Sequence, residues 1–352
     1  MSAGEKAPFP GGWLYDLNPV SLEKHLVAMG MPAYAASQVF HWLYQRREPD
    51  ISNWTNISRA HRKVLDETFF TSLPLVENES RDGSGARKVL LRLHDGKGVE
   101  AVWIPGTGRS TLCISTQVGC AMGCSFCATG AMGFHRSLSM GEILAQVLVL
   151  LGFQLEADER FNIVLMGMGE PLLNPQAVMG ALAVMTADPG MRIPSRHITL
   201  STVGLLTPLA ELEQRFPRVK ISLSLHAADD AVRKRLMPKA ASLHSIGELL
   251  DYFARPRHYP VTFEYVLIRG VNASRAQARL LAARLRTIRG KVNLIPLNPV
   301  PGCSFSAPAL MEENAFLRVL VDAGLSVTVR RSRGKDIQSA CGQLAVEVSG
   351  KA

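Results

Sequence analysis

From residue 110 onward, strand-like and helix-like runs alternate, and this alternation restricts the fold more than any other feature. Strand-like runs cover Thr111–Thr116, Phe161–Gly167, His197–Thr202, Val219–Leu225, Val261–Leu267, Lys291–Pro296 and Leu325–Val329. Between them lie helix-like runs at Ser139–Leu151, Pro175–Met185, Leu205–Gln214, Ile246–Phe253, Ser274–Leu285 and Met311–Ala323. Repeated βα units demand a parallel sheet with right-handed crossovers. Six or seven of them predict an α/β fold with a barrel or partial barrel, whose site lies at the strand C-termini.

The rest of the chain reads as additions to that core. Residues 1 to about 73 carry helical periodicity. A helix is expected from Ser21 to Gly30, another from Ala36 to Tyr44, and a basic one from Ser58 to Phe70. Arg46, Arg47, Arg59, Arg62 and Lys63 give this segment a surface suited to RNA or a solvated face. Near residue 75 the period changes. Lys88–His94 and Val99–Ile104 read as strands joined by an Asp95-Gly-Lys-Gly hairpin turn. The expected segments are thus a helical accessory domain over 1–73, a β extension over 74–105, a barrel over 106–337 and a C-terminal segment over 338–352. The net charge of +9 favours a polyanionic partner, most simply nucleic acid. No apolar run is long enough to span a membrane, and the first residues lack the layout of a signal peptide. The expected compartment is the cytoplasm.

Chemistry concentrates just after the first strand of the alternating region. Cys113-Ile-Ser-Thr-Gln-Val-Gly-Cys120-Ala-Met-Gly-Cys124-Ser-Phe-Cys127 holds four of the six cysteines. In a cytosolic chain, clustered cysteines point to metal or redox chemistry rather than to disulfides. Cys120, Cys124 and Cys127 can bind three irons of a 4Fe–4S cluster and leave the fourth open. A structural zinc site wants four ligands, and Cys124-x-x-Cys127 alone would be a redox pair. Gly119 and Gly123 let the backbone approach, so that amide N–H groups can reach the sulfurs. After the second strand of this region, Met166-Gly-Met-Gly-Glu-Pro171 offers a close backbone approach at Gly167 and Gly169 and a carboxylate, Glu170, for an ammonium group.

The Cys120-x3-Cys124-x2-Cys127 spacing, with Phe126 before the last cysteine, resembles the signature of the radical S-adenosylmethionine (SAM) superfamily. Cys113 upstream, and Ala340-Cys341-Gly-Gln-Leu344 after Arg330-Arg-Ser-Arg-Gly-Lys335, narrow the resemblance to the RlmN/Cfr family of radical SAM RNA methyltransferases. It is dense from Glu100 to Asn174. It returns at Leu200-Ser-Thr-Val-Gly, Ile221–His226, Asn293–Pro299 and Val329–Leu344. The fold it implies is a partial (β/α)6-type radical SAM barrel. It implies one 4Fe–4S cluster on Cys120, Cys124 and Cys127. It also implies a SAM site lined by Gly169, Glu170, Ser201, Ser224, Leu225, His226 and Asn298.

The mechanism that the resemblance implies uses two SAM molecules. The first methylates the Cys341 thiolate, which Arg330, Arg331 and Arg333 would favour. The second yields a radical that takes hydrogen from the S-methyl group, and the resulting methylene radical adds to an adenine ring carbon. Cys113 then resolves the protein–RNA adduct through a transient disulfide with Cys341. Glu100 matches a carboxylate proposed as a proton acceptor, although an isolated strand glutamate reads as a surface charge. A reducing electron donor such as flavodoxin is implied as a partner. One branch of the family implies C2 methylation of an adenine in 23S rRNA and in tRNA. The other implies C8 of the same rRNA adenine, with antibiotic resistance. The longer N-terminal helical domain favours C2. Cys303 has no family role and reads as structural. Lys239-Ala-Ala-Ser-Leu-His and Ala273 depart from the family pattern and bear on the RNA target. Two other readings are a radical SAM enzyme acting on a peptide and a zinc-stabilised RNA-binding module.

Overall fold

The computed structural model describes residues 11–153, 160–330, 337–338 and 340–346. Its centre is one ten-stranded sheet: β1 (Leu75–Arg81), β2 (Arg87–Arg92), β3 (Gly98–Ile104), β4 (Ser110–Ile114), β5 (Phe161–Leu165), β6 (Ile198–Thr202), β7 (Lys220–Ser224), β8 (Val261–Leu267), β9 (Gly290–Pro296) and β10 (Ser326–Val329). Strand order follows chain order from one edge to the other. β4 to β10 are parallel neighbours, while β1 to β4 are antiparallel. The β extension is therefore not a separate sheet. It prolongs the parallel sheet at β4, where Cys113 pairs with Val102 on one side and Val164 on the other. β1 is a strand that the sequence concealed: it is a mostly exposed edge, Leu-Val-Glu-Asn-Glu-Ser-Arg, with no apolar alternation to mark it.

Helices cover the parallel strands as βα units require. The described ones here are α1 (Pro19–Ala28), α2 (Ala35–Phe40), α3 (Arg59–Thr68), α4 (Ala128–Ala131), α5 (Met140–Leu151), α6 (Pro175–Thr186), α7 (Leu206–Arg215), α8 (Asp230–Leu236), α9 (Pro238–Ala241), α10 (Ile246–Phe253), α11 (Arg275–Leu285) and α12 (Leu310–Asp322). α5 opens with a capping box in which Ser139 and Glu142 satisfy each other's backbone amides. Almost every residue of α5 is buried, because the sheet lies on one side and the N-terminal helices on the other. Asp16 accepts from the Gly141 amide at 2.8 Å, and Arg47 donates to the Leu151 carbonyl at 3.2 Å.

The N-terminal segment departs from expectation in detail. α1 begins at Pro19 rather than Ser21, because Asn18 is the cap and accepts from the Ser21 amide. The second helix ends in a π turn over His41–Arg46, closed by Arg47 in the left-handed region (φ 55°). Phe69–Phe70 leaves α3 and pairs with Gly12–Trp13. Of the five basic residues singled out, Arg47 and Arg62 are turned onto backbone carbonyls, and Lys63 faces Glu67. Among the described residues no helix is long and apolar enough to cross a membrane. The first residues of the chain, used above for the compartment, lie outside the described residues.

Candidate radical SAM site

The cysteine loop leaves β4 at its C-terminal end and closes on itself. Gln117–Gly119 pairs antiparallel with Phe134–Ser137, and the Cys120 amide donates to the Gly133 carbonyl at 2.8 Å. Gly119 has φ +74°, and a Cβ there would lie 1.9 Å from the Gly133 carbonyl oxygen. Only glycine fits this neck. Inside the loop, the Met122 and Gly123 amides bond to the Cys120 sulfur, and the Thr129 and Gly130 amides bond to that of Cys127. Burial pushes the Cys120 thiol up to about 11 and also raises Cys124 and Cys127, while the amides pull the other way at Cys120 and Cys127 and Arg233 does so at Cys124. Three buried thiols of this kind become thiolates when a cationic group displaces their protons.

Cys120, Cys124 and Cys127 line one cavity that opens to solvent. Among the described residues, no three His, Cys, Asp or Glu side chains converge on a position for a single metal ion. The donor set is three thiols spread round one space, with amide N–H groups aimed at two of the sulfurs. That set suits a polynuclear iron–sulfur group better than zinc, which takes four ligands on one ion. A wholly buried guanidinium, Arg233, lies behind the loop with Nε and Nη1 unpartnered. A cluster of net negative charge would satisfy it.

The opposite wall carries most of the residues expected to meet SAM. Gly169, Glu170, Ser201, Ser224, His226 and Asn298 all line the same cavity. Gly169 (φ +103°) is required by a close approach to the base of the cysteine loop: its Cβ would stand 2.6 Å from the Gln117 side chain. Both Glu170 oxygens already serve the fold, accepting from the Leu172 amide at 3.1 Å and the Val203 amide at 2.9 Å. Burial raises its carboxyl to about 7. Ser201 and Ser224 face each other at 3.2 Å between their hydroxyl oxygens. His226 sits in the left-handed region at φ 56°, a strained conformation for a residue with a side chain. Its Nδ1 accepts from the Val266 amide at 3.0 Å, which leaves the proton on Nε2. Burial and the nearby Arg233 hold its ring down to about 3, so it is neutral. Leu225 is the exception. Its side chain is fully buried in the core and does not line the cavity, because it points to the other side of the strand end. Only its main chain remains near the site.

Cys341 reaches this cavity from the far end of the chain. Its carbonyl accepts from Asn298 Nδ2 at 3.1 Å. The following residues are held on several sides: Gly342 O by the Ala128 amide (2.8 Å), Leu344 O by the Thr129 hydroxyl (2.5 Å), and the Ala345 amide by Glu100 Oε2 (2.9 Å). Gln343 Nε2 donates to Pro299 O at 2.7 Å. Cys113 lies near Cys341 and Arg330. Burial lifts its thiol to about 12, the Cys341 charge acts the same way, and Arg330 opposes both. All six cysteines are free thiols. Glu100 is no surface charge. It is buried, paired with Lys88 at 2.8 Å, and away from the cavity wall. Arg331 and Arg333 lie outside the described residues.

The cavity also holds groups that sequence reasoning missed. Glu264 in β8 is buried on the cavity wall, bonded by Asn293 Nδ2 at 2.8 Å and facing Arg330. A lone glutamate within the apolar run Val261–Leu267 was the available signal. Cys303 donates to Ser125 O at 3.6 Å and so ties the β9–α12 connection to the cysteine loop.

A model described as the radical SAM superfamily matches residues 114–281, and one described as the ribosomal RNA large subunit methyltransferase N-terminal domain matches 13–70. A curated relative from Solidesulfovibrio magneticus, "Dual-specificity RNA methyltransferase RlmN", is 44% identical over 96% of this chain and 97% of its own length. The chain belongs to the RlmN family of radical SAM proteins. A second RlmN relative, from Alkalilimnicola ehrlichii, is 40% identical over 95% of this chain and 94% of its own. The crystal structure of a radical SAM methyltransferase from Sphaerobacter thermophilus superposes with a TM-score of 0.88 at 42% identity, covering 94% of this chain and 98% of that one. Radical SAM membership brings a 4Fe–4S cluster and SAM as cofactors. The radical SAM fold that the sequence predicted is thus present, and the expected N-terminal helical accessory domain matches the RlmN N-terminal domain.

Proposed function

We propose that this chain is an RNA methyltransferase that adds a methyl group to a ring carbon of adenine, C2 rather than C8, in 23S rRNA and tRNA. The observation that carries the reading is the docking of Cys341 on the cavity that also holds Cys120, Cys124 and Cys127, with Cys113 and Arg330 beside it. The names of the relatives support an RNA substrate.

Cys120, Cys124 and Cys127 would hold the cluster. Gly169, Glu170, Ser201, Ser224, His226, Asn298 and the Leu225 main chain would hold SAM. When bound, these groups supply methyl groups and, after reduction, a radical able to take hydrogen from a methyl group. An adenine C–H carbon is a poor nucleophile, so the chain itself carries the methyl group. The Cys341 sulfur accepts it as a thioether beside the Arg330 guanidinium. Asn298, Thr129 and Glu100 fix the segment so that the thioether carbon faces the cavity. Once that carbon is bonded to adenine, the ring carbon gives up its hydrogen as a proton and one electron that the cluster would take back. Cys113 then attacks the Cys341 sulfur, and its thiol proton goes to the leaving carbon. The S–S bond forms, the S–C bond breaks, and the carbon leaves with the electron pair and gains a proton. Lys88 and the Ala345 amide occupy the two Glu100 oxygens, so Glu100 acts here as an anchor, and proton acceptance requires it to release Lys88. A reductant such as flavodoxin supplies electrons. Residues 1–73 would dock RNA, 74–105 extend the sheet, 106–337 form the barrel and 338–352 carry the methylated cysteine, all in the cytoplasm.

The test is a map of methyladenosines in 23S rRNA and tRNA from a strain lacking the gene, with and without the gene restored. Loss and recovery of C2-methyladenosine is the expected result. C8-methyladenosine in its place would assign the C8 branch, and an unchanged map would overturn the reading. A purified protein that holds zinc and shows no iron–sulfur absorbance would be an RNA-binding module instead.

A further inference from the structure

Arg233 is among the largest fully buried side chains of the protein, and no step described so far uses it. It lies on α8, one turn before Leu236, whose carbonyl receives the Ser125 amide from inside the cysteine loop at 3.0 Å. Its Nη2 donates to Val203 O at 2.7 Å, and its Nε and Nη1 have no partner. The negative groups that act on it are Cys124 and Asp230, with Cys124 the stronger. A guanidinium stripped of water for a single carbonyl is strongly unfavourable unless opposite charge compensates it. The nearest place where such charge gathers is the thiolate loop.

We propose that Arg233 is the buried counter-charge of the cluster held by Cys120, Cys124 and Cys127, and that it raises the reduction potential of that cluster. It is a positioning residue that touches neither substrate nor SAM, and the inference rests on the cluster reading above. The reduced cluster carries one more negative charge than the oxidised one, so a nearby positive charge favours reduction. His226, on the same side, is neutral and supplies no such charge. Lys239, whose Nζ donates to Ala121 O at 2.7 Å, is a second cation at the loop, but it is exposed and screened by salt. Arg233 is shielded from water, and its effect persists at high salt.

The test is a potentiometric titration of the SAM-free holoprotein, followed by electron paramagnetic resonance, with iron and sulfide counted in each variant. Arg233→Met should hold a full cluster but be about tenfold harder to reduce at a fixed potential, ~59 mV lower for one electron. Arg233→Lys should recover most of that shift. Lys239→Met should give a smaller shift that vanishes at high salt. An Arg233→Met protein with a full cluster and an unchanged potential overturns the proposal. So does one that loses only SAM affinity, which would assign the guanidinium to the SAM carboxylate. If Arg233→Met holds no cluster, Arg233→Gln, which still donates to Val203, is titrated in its place. Cluster retained only by the Lys variant supports the counter-charge. Cluster lost from all three means a purely structural role and overturns it. Wild-type protein without iron–sulfur absorbance would refute the cluster reading itself, before any variant is made.

Discussion

Cys120, Cys124 and Cys127 reach the cavity on a loop whose shape is settled within about twenty residues, whereas Cys341 arrives on a segment whose described residues form no helix or strand. In the loop, the Gly119 neck and the Gln117–Ser137 ladder set the backbone, and local amides hold the Cys120 and Cys127 sulfurs. In the segment, order is lent by Glu100, Ala128, Thr129, Asn298 and Pro299, which lie on different parts of the barrel. The contrast fits the proposed chemistry. A cluster needs its ligands fixed in relation to each other. A cysteine that alternates between thiol, thioether and disulfide needs a holder that can shift as a unit. The two thiol sets should therefore fail in different ways when broken.

The largest effects come from the thiols themselves. Cys124→Ala should lose cluster iron, SAM cleavage and methylation together. Cys341→Ala should keep the cluster and SAM cleavage, yet lose RNA methylation by roughly a thousandfold or more, as removal of a nucleophile does. Cys113→Ala should keep the methyl group on Cys341 and accumulate covalently bound RNA. Mass analysis of anaerobically prepared protein and a denaturing gel of bound RNA check these outcomes. RNA methylation by a Cys341→Ala protein would break the proposed division of labour.

A smaller effect is expected at the neck of the loop. Gly119→Ala puts a Cβ against the Gly133 carbonyl and forces alanine to φ +74°, and we expect a loss of about 2–4 kcal/mol. Gly123→Ala shares the left-handed backbone, at φ +61°, but its Cβ meets nothing nearer than Lys239 Cε at 4.0 Å, so about 1–2 kcal/mol is expected. Thermal unfolding of the protein, with iron content after reconstitution, ranks the two. Equal losses would mean that backbone conformation alone, and not the Gly133 contact, closes the loop.

The same contrast explains what was legible in the sequence. The seven parallel strands were readable because buried strands are continuous apolar runs bounded by turns. The cysteine loop was readable because its spacing is local. β1 was not, because an exposed edge strand needs no apolar face. α8 also escaped notice, as a short helix with three basic residues in its last turn, and with it Arg233, since a buried arginine looks like a surface one until its neighbours are known. Leu225 was placed at the SAM site by resemblance to the family, but just beyond the end of β7 its side chain turns into the core. Glu100 was readable as a family position and not as a buried partner of Lys88, because the Ala345 contact spans 245 residues of sequence. Cys341 itself was found only by resemblance. Nothing local distinguishes it from a small buried hydrophobe.

The smallest expected effects lie in the anchors of the Cys341 segment. Thr129→Val removes the hydroxyl that donates to Leu344 O and also bonds the Cys127 sulfur, and keeps the Thr129 amide at that sulfur. Asn298→Ala removes the amide that donates to Cys341 O. A single hydrogen bond of this kind contributes about 1 kcal/mol, so each change should open the segment about fivefold more often. Hydrogen exchange at Gly342–Leu344 reads that opening, and iron content reads the loop. Faster exchange is expected for both variants, with full iron for Asn298→Ala, and the double variant should show the two effects on exchange multiplied, because the donors sit on separate elements. If Asn298→Ala, whose amide bonds Cys341 O and no cluster cysteine, also sheds iron, the segment and the loop are one cooperative unit. Cys341 would then be fixed by the cluster site itself and could not move independently of it.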